Sequence, residues 1–532
     1  MKAMKSLIWK STRSKLFLLL YLLTSISAGF LLIYANDLLA GLLNNYLMVQ
    51  QFDGFARSML LTAGAFVLIL GLNMLEAYLG SDLEWEIIIQ LKSYYLAKLL
   101  RVKQEFFKER PATEIFDNLQ MATEGQGEFF GALLSLASRT IIFIFYGVVV
   151  FRLDMWAGFF TTLVLPIYFL LTVGLGNKLA DLEGEYMERS GELVTVAQEA
   201  LENVGNVKAK GAYNFFADRS SKLLEKAKKI VVNIYVFEHY MEKITGLFQI
   251  VAPILIIFGA LQVSPTFDEN AGSIMVLFIN IPLFLGGFAS IHKSYVHYQV
   301  LKPFYEKLQE FDDAPLEETS GMELTAFESL KTVGVSVTFD GRRTVNVPDF
   351  SVVAGEKIMF FGESGVGKST VFNIIMGFIP TYEGDIYVNG TNLRDISLSS
   401  LRRIFGITFQ QTNALTLDLP SNILLGAEKN EEELERLIKL TELELQKEAK
   451  EGTVLNNKVL SGGERSRLGL SQMMAAAPEV LLIDESFSNL DEEQETKILG
   501  NLLREAPDST VICISHRNAS RPFFDKVVDF NF

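Results

Sequence analysis

Long uncharged stretches punctuate the first 300 positions, and then the rhythm of the chain changes. The uncharged runs are Leu16–Asn36, Ser58–Leu75, Thr140–Phe151 (longer if Arg139 is admitted), Met155–Asn177, Ile244–Phe267 and Asn270–Ile291. A helix needs about 20 apolar residues to cross a bilayer core, and core helices of water-soluble domains rarely stay uncharged for about 18. Six membrane spans are therefore predicted. Met1–Lys15 carries five basic residues before the first run, as a signal peptide would. The 21 residues of Leu16–Asn36 are too long for a signal core, so an uncleaved first helix is expected.

The connections alternate between short and long. Those after the first, third and fifth spans are short and nearly free of Lys and Arg. The other two, roughly Leu79–Phe130 and Lys178–Lys243, carry six and ten basic residues. With the basic N-terminus, this asymmetry places both termini and both long connections in the cytoplasm. Apolar residues recur at helical spacing in both, as in Leu91, Tyr94, Tyr95 and Leu99, and again in Leu193, Val196, Ala197, Ala200 and Leu201. The membrane helices are thus expected to continue well past the bilayer. Residues 1–310 read as one membrane domain and the acidic stretch 311–328 as a linker. Residues 329–532 read as a second domain in which short apolar strands alternate with helices, the pattern of a largely parallel α/β sheet.

Composition sharpens this picture in a few places. The hydrophobic fraction is 49%, and the net charge of −15 argues against a nucleic-acid partner, which would need a basic face. A single cysteine, Cys513, excludes intramolecular disulfides and any cysteine-rich metal site, and the four histidines show no ligand spacing. Two sequons, at Asn389 and Asn518, fall in the second domain and are read as chance.

The chemistry concentrates in that domain. Gly362-Glu363-Ser364-Gly365-Val366-Gly367-Lys368-Ser369-Thr370 follows an apolar strand, Lys357–Phe361, and opens a helix. Glycines let backbone N–H groups turn inward around phosphates, and the helix N-terminus adds its dipole. In such a loop Lys368 reaches the β- and γ-phosphates and the Ser369 hydroxyl ligates Mg²⁺. Asp484 and Glu485 end a second apolar strand 116 residues after Lys368. That is where a Mg²⁺ partner and a water-activating base would sit. Ser461-Gly462-Gly463 opens another helix and is another anion site. One domain has no use for two γ-phosphate cradles, so the second is expected to close on the ATP of another copy.

These segments resemble the Walker A, Walker B and signature motifs of ABC ATPases, and the whole chain resembles the half-size exporters of that superfamily. The resemblance implies an all-α six-helix transmembrane domain of exporter type followed by an α/β P-loop ATPase domain. By position it makes Gln410 the Q-loop glutamine that contacts Mg²⁺, Phe339 the aromatic stacked on adenine, and Ser488–Asp491 the D-loop. It makes His516 the switch histidine at the γ-phosphate, Glu485 the general base and Asp484 the carboxylate on the metal. Phe106–Leu119 and Glu202–Arg219 resemble the two cytoplasmic coupling loops. The chain departs from the family pattern at Glu464 (usually Gln), Ser486 (usually Pro), Phe339 (usually Tyr) and the segment before the signature.

The expectation is an ATP-hydrolysing pump with ATP and Mg²⁺ as cofactors, working as a dimer with a second half-transporter, an identical copy by preference. It would sit in a bacterial cytoplasmic membrane and move a small molecule, peptide or lipid by alternating access. The alternatives are a heterodimer subunit or an ATP-gated sensor that pumps nothing. Without a cysteine-protease domain, leader cleavage is not expected. A soluble DNA-repair ATPase is excluded, because only 92 residues separate Lys368 from Ser461, too few for its coiled coil. Arg139 lies inside the third span and Glu76 toward the inner end of the second, and these intramembrane charges are expected to line a cavity or to pair with each other, pairing being preferred.

Overall fold

The described part of each of the six uncharged runs lies in a helix long and apolar enough to cross a bilayer, positions 264–267 and 270 falling outside the described residues. The computed structural model describes residues 12–43, 54–107, 112–263, 271–318, 320–339, 343–363, 365–410, 412–443, 454–455, 460–487, 490–515 and 517–531. The long helices are α1 (Thr12–Leu42), α2 (Phe55–Leu99), α3 (Ala112–Leu153), α4 (Met155–Glu202), α6 (Tyr213–Val263) and α7 (Ala271–Asp313), with the six-residue α5 (Val204–Ala209) between α4 and α6. At about 1.5 Å per residue α2 is about 68 Å long, more than twice a hydrocarbon core. The polar helical patterns flanking the spans account for the excess. Only 11–33% of each apolar window is buried inside the protein, so most of its Leu, Ile and Phe side chains face outward, as a lipid environment allows.

Local sequence explains the turn between α3 and α4. Asp154 sits alone between α3 and α4 in extended backbone, and its carboxylate accepts the Ala157 N–H at 2.7 Å. That cap satisfies a helix end that would otherwise be orphaned. Helix α1 packs on α2, α3 on α7, and α4 on α6. Gly29 lets α1 approach α3 closely: a Cβ there would collide with the Phe145 ring. Buried Asn280 on α7 donates to Asn36 Oδ1 on α1 at 2.6 Å, a polar clasp among apolar neighbours.

Contacts divide the chain into Met1–Arg101 with Arg110–Ala314, and Val102–Glu109 with Pro315–Phe532. The acidic stretch 311–328 is divided as well. Its first three residues end α7, while Leu316 bridges to Val102, Met322 bridges to Ile396, and Glu317 takes both ends of the Arg402 guanidinium at 2.7 and 2.8 Å. Of the two coupling-loop segments, Gln104–Phe107 is a short 3-10 turn, positions 108–111 lie outside the described residues, and Glu202–Arg219 contains α5.

Among the described residues, the second unit contains two sheets. One is antiparallel, β2 (Arg343–Asn346), β1 (Ser329–Phe339), β5 (Glu383–Val388) and β6 (Thr391–Asn392) in that order, with β3 (Ser351–Val353) also on β1. The other is parallel throughout, in the order β10 (Lys526–Asp529), β4 (Lys357–Phe361), β9 (Thr510–Ile514), β8 (Val480–Asp484) and β7 (Phe405–Thr408). Every residue of β8 and β9 is buried, which is why these strands read as unbroken apolar runs rather than alternating ones. Phe350, Phe360, Phe372 and Phe530 fill the core beside β4. Helices α8 (Lys368–Ile375), α9 (Leu398–Ile404), α10 (Leu419–Leu424), α11 (Glu431–Leu440), α12 (Gly462–Ala475) and α13 (Glu492–Glu505) complete the unit.

Candidate functional site

Strand β4 delivers the glycine-rich loop, and α8 begins where it ends. Gly362, Gly365 and Gly367 all have positive φ, at 150°, 87° and 111°. At Gly367, the N-cap of α8, a Cβ would also collide with Val345, so only glycine fits both the backbone and the space. Buried Lys368 folds back to donate to the carbonyls of Gly362 and Glu363 at 2.7 and 2.6 Å. Burial pushes its ammonium below the usual lysine range, while Glu485 and Asp484 pull it back. Ser364 lies outside the described residues.

The C-terminal ends of the parallel strands close around this loop. The Ser369 hydroxyl donates to Asp484 Oδ1 at 2.7 Å, so two hard oxygen donors from α8 and β8 meet at one point. Burial raises the Asp484 carboxyl to about 6 against the opposing pull of that hydroxyl, with Glu485 adding to the rise and Lys368 opposing it. Gln410 donates from Nε2 to Glu485 Oε2 at 2.8 Å. Glu485 has φ +45°, and its N–H donates to Ile514 O at 3.3 Å. Left-handed backbone on a non-glycine residue costs about 1–2 kcal/mol, so the strand end holds this carboxylate in a posture it would not adopt alone.

A cavity of about 560 Å³ opens here, lined by Phe339, Val345, Gly365, Gly367, Lys368, Ser369, Thr370, Gln410 and Glu485, together with Arg343. The structure thus brings together most residues that the sequence singles out. Ser461, Gly462 and Gly463 do not line this cavity. They open α12 through a capping box, in which Ser461 Oγ accepts the Glu464 N–H at 3.2 Å and Glu464 accepts the Ser461 N–H at 2.7 Å. Glu464, at the position where Gln is usual, therefore acts as a helix cap in this chain. Asp491 caps α13. His516, Ser488 and Asn489 lie outside the described residues.

Four features of the site escaped the sequence reading. Arg343 donates to the Gly365 carbonyl, and Asn531 Oδ1 accepts the Glu363 N–H at 2.9 Å, so β2 and the chain end both tether the phosphate loop. Buried Ser486 bonds the Thr408 hydroxyl at the end of β7, tying the strand before the Q-loop to the one bearing Glu485. Buried Glu495 on α13 accepts from Ser515 Oγ at 3.1 Å and from Ser520 Oγ, while Arg517 Nη1 lies 2.9 Å away as an ion pair. That carboxylate fixes the chain on both sides of position 516. The unusual Ser486 was the only sequence hint to any of these.

In the membrane unit, Glu76 and Arg139 line one cavity but form no ion pair with each other among the described residues. Ser138 Oγ donates to Glu76, and Arg139 Nε donates to Ser135 Oγ at 2.8 Å. The preferred expectation of a direct pair is corrected. Two serines of α3 take up the charges instead, Ser138 next to Arg139 bonding Glu76 and Ser135 one turn earlier accepting from Arg139.

Comparison with known proteins completes the picture. The profile of the ABC transporter transmembrane region matches residues 18–287, and a second profile, described as ABC transporter, matches residues 345–488. The chain is 25% identical over 476 residues to the ATP-dependent lipid A-core flippase of Syntrophus aciditrophicus (strain SB), covering 86% of this chain and 78% of that one. It is 24% identical over 458 residues to the Lactococcin-A transport/processing ATP-binding protein LcnC of Lactococcus lactis subsp. lactis, covering 84% of this chain but only 64% of that relative's length. A solved structure of a bacterial Atm1-family ABC exporter with ATP bound shares the fold, with a TM-score of 0.80 at 21% identity over 97% of this chain and 94% of that one. The chain belongs to the ABC transporter family, as a half-size exporter with a six-helix membrane domain and one ATP-hydrolysing domain.

Proposed function

We propose that two copies of this chain form the working transporter, each lending its signature helix to the ATP of the other. The observation that carries this reading is the composition of the nucleotide cavity: its walls come from the phosphate loop, the Q-loop and the ends of β1, β2 and β8, and the start of α12 is not among them. A capped helix N-terminus with Ser461, Gly462 and Gly463 on it is a phosphate site with no phosphate in its own domain. Head-to-tail closure of two copies would use it.

In this reading Phe339 stacks on adenine, and the backbone of Gly362–Thr370, Ser364 included, wraps the phosphates. Lys368 exchanges its two loop carbonyls for the β- and γ-phosphate oxygens. Ser369, Asp484 and the amide oxygen of Gln410 form an oxygen-donor set of the kind that suits Mg²⁺. When bound, Mg²⁺ neutralises charge on the β- and γ-phosphates. Glu485 accepts the proton of the attacking water, and His516 orients the γ-phosphate. Closure of the two ATPase domains moves the coupling segments and opens the membrane cavity outward; hydrolysis resets it. The basic N-terminus and basic long connections support an ATPase domain and termini in the cytoplasm, in the cytoplasmic membrane of a bacterium. The cargo class is a small molecule, peptide or lipid.

The test is ATP turnover by the purified chain in lipid, wild type against Glu485→Gln. Turnover that vanishes in the variant while ATP still binds supports a catalytically competent homodimer. Absence of wild-type turnover overturns the homodimer and points to a partner subunit or to a regulatory role.

A further inference from the structure

The membrane unit carries a second cluster of charged groups that the ATP cycle does not use. Two cavities, of about 560 and 400 Å³, lie among α1, α2, α3 and α7 and share Glu84, Ser135, Arg139 and Ser290 in their walls. Toward the uncharged spans the lining is Ile142, Tyr146 and Leu283. Away from them it is Glu128, Lys293 and His297. Glu84 lies eight residues beyond Glu76 and Glu128 eleven before Arg139, or about 12 and 16 Å along their helices. The combined space has Ile142, Tyr146 and Leu283 at one end, where Glu76 is bonded to Ser138, and its other charges at the opposite end.

Charges of both signs line that end. Glu84 reaches across to α3, where its carboxylate covers Gly131, one turn from Glu128. Two carboxylates thus share one wall, and Arg139 and Lys293 sit on the rest of the same cavity. None of the four enters an ion pair within 4.0 Å among the described residues. Neighbouring carboxylates favour a cation between them, and charges held beside a low-dielectric wall are costly when uncompensated.

We propose that this cavity binds a zwitterionic amphiphile. Its ammonium sits between Glu84 and Glu128, its anionic group rests on Arg139 and Lys293, and its apolar part lies along Ile142, Tyr146 and Leu283. As cargo, this ligand class rests on the export reading above; binding itself does not require turnover. Two sources share this chemistry, a zwitterionic lipid and an apolar peptide with free termini.

The experiment titrates the purified full-length chain in detergent, read by native mass spectrometry. The probes are a lysophosphatidylethanolamine, a lysophosphatidylglycerol of the same acyl chain, an alkyltrimethylammonium, and an apolar tripeptide with free termini. The wild type is expected to bind at least one of the zwitterions about tenfold more tightly than either singly charged amphiphile, and the tighter zwitterion identifies the source. Glu84→Gln with Glu128→Gln should abolish the preference over the anionic probe, and Arg139→Gln with Lys293→Gln the preference over the cationic one. If a double variant does not fold, single Glu84→Gln and Lys293→Gln serve, each expected to weaken the same preference about threefold. Equal binding of all probes by wild type, or an unchanged order in the variants, would overturn the inference. ATP turnover measured on the same samples separates the two readings. Selective binding without turnover sinks the pump and keeps the site, and turnover without selectivity does the reverse.

Discussion

Asp484 offers a way to measure what the ATP site costs the fold. Its carboxyl is buried and rises from 3.8 to about 6, mainly through loss of solvation. A displacement of roughly two pH units corresponds to ~3 kcal/mol. The sign follows from proton linkage: the folded state holds the proton more tightly, so the penalty is absent below pH 3.8, grows as pH rises, and is complete above about 6. Asp484→Asn removes the charge and keeps an oxygen to accept the Ser369 hydroxyl. Without nucleotide at pH 8, the variant's ATPase domain should be more stable by up to ~3 kcal/mol, about 6–12 °C in melting temperature for a domain of this size. Toward pH 4 the difference should disappear. With saturating Mg-ATP the difference should largely close, because ligand at about 100 times its dissociation constant stabilises the wild type by ~2.7 kcal/mol and the variant lacks the anionic metal partner. Thermal unfolding of the full chain across pH 4 to 8, with and without Mg-ATP, reads all three. A nucleotide-free variant no more stable than wild type at pH 8, or a gain that persists unchanged at pH 4, would refute the reasoning.

Three further outcomes follow from the same geometry. Phe339→Ala should weaken ATP binding by about tenfold, since stacking of a base on an aromatic ring is worth ~1–3 kcal/mol, and Phe339→Tyr should restore it; fluorescent-nucleotide titration measures both. Ser486→Ala should destabilise the ATPase domain by ~1–3 kcal/mol because it leaves the Thr408 hydroxyl buried without its partner. The double variant with Thr408→Val should recover most of that loss in thermal melts. Glu495→Gln keeps an acceptor for Ser515 and Ser520 but removes the ion pair with Arg517. Turnover should fall several-fold with little change in ATP affinity, and equal loss of both would discount a role in positioning residue 516.

The sequence by itself determined whatever depends on neighbours along the chain. Uncharged runs of span length mark the membrane helices, because a bilayer leaves no alternative to helix for such segments. The apolar runs of β4 and β8, the first followed by a glycine-rich loop and the second ending in carboxylates, announce buried parallel strands with chemistry at their tips. The glycines at 362, 365 and 367 announce a turn that only glycine can make. Only the tertiary structure decided what meets across the fold. It set Ser369 against Asp484, Gln410 against Glu485, and Ser486 against Thr408. It placed Glu495 beneath the residues flanking position 516, and it gave Glu76 and Arg139 to serines rather than to each other. Periodicity and turn chemistry are written in spacings of two to four residues, whereas these contacts, Arg139 with Ser135 excepted, join positions from about twenty to more than a hundred residues apart. Their partners are chosen by strand order and helix packing, for which a single sequence carries no local mark.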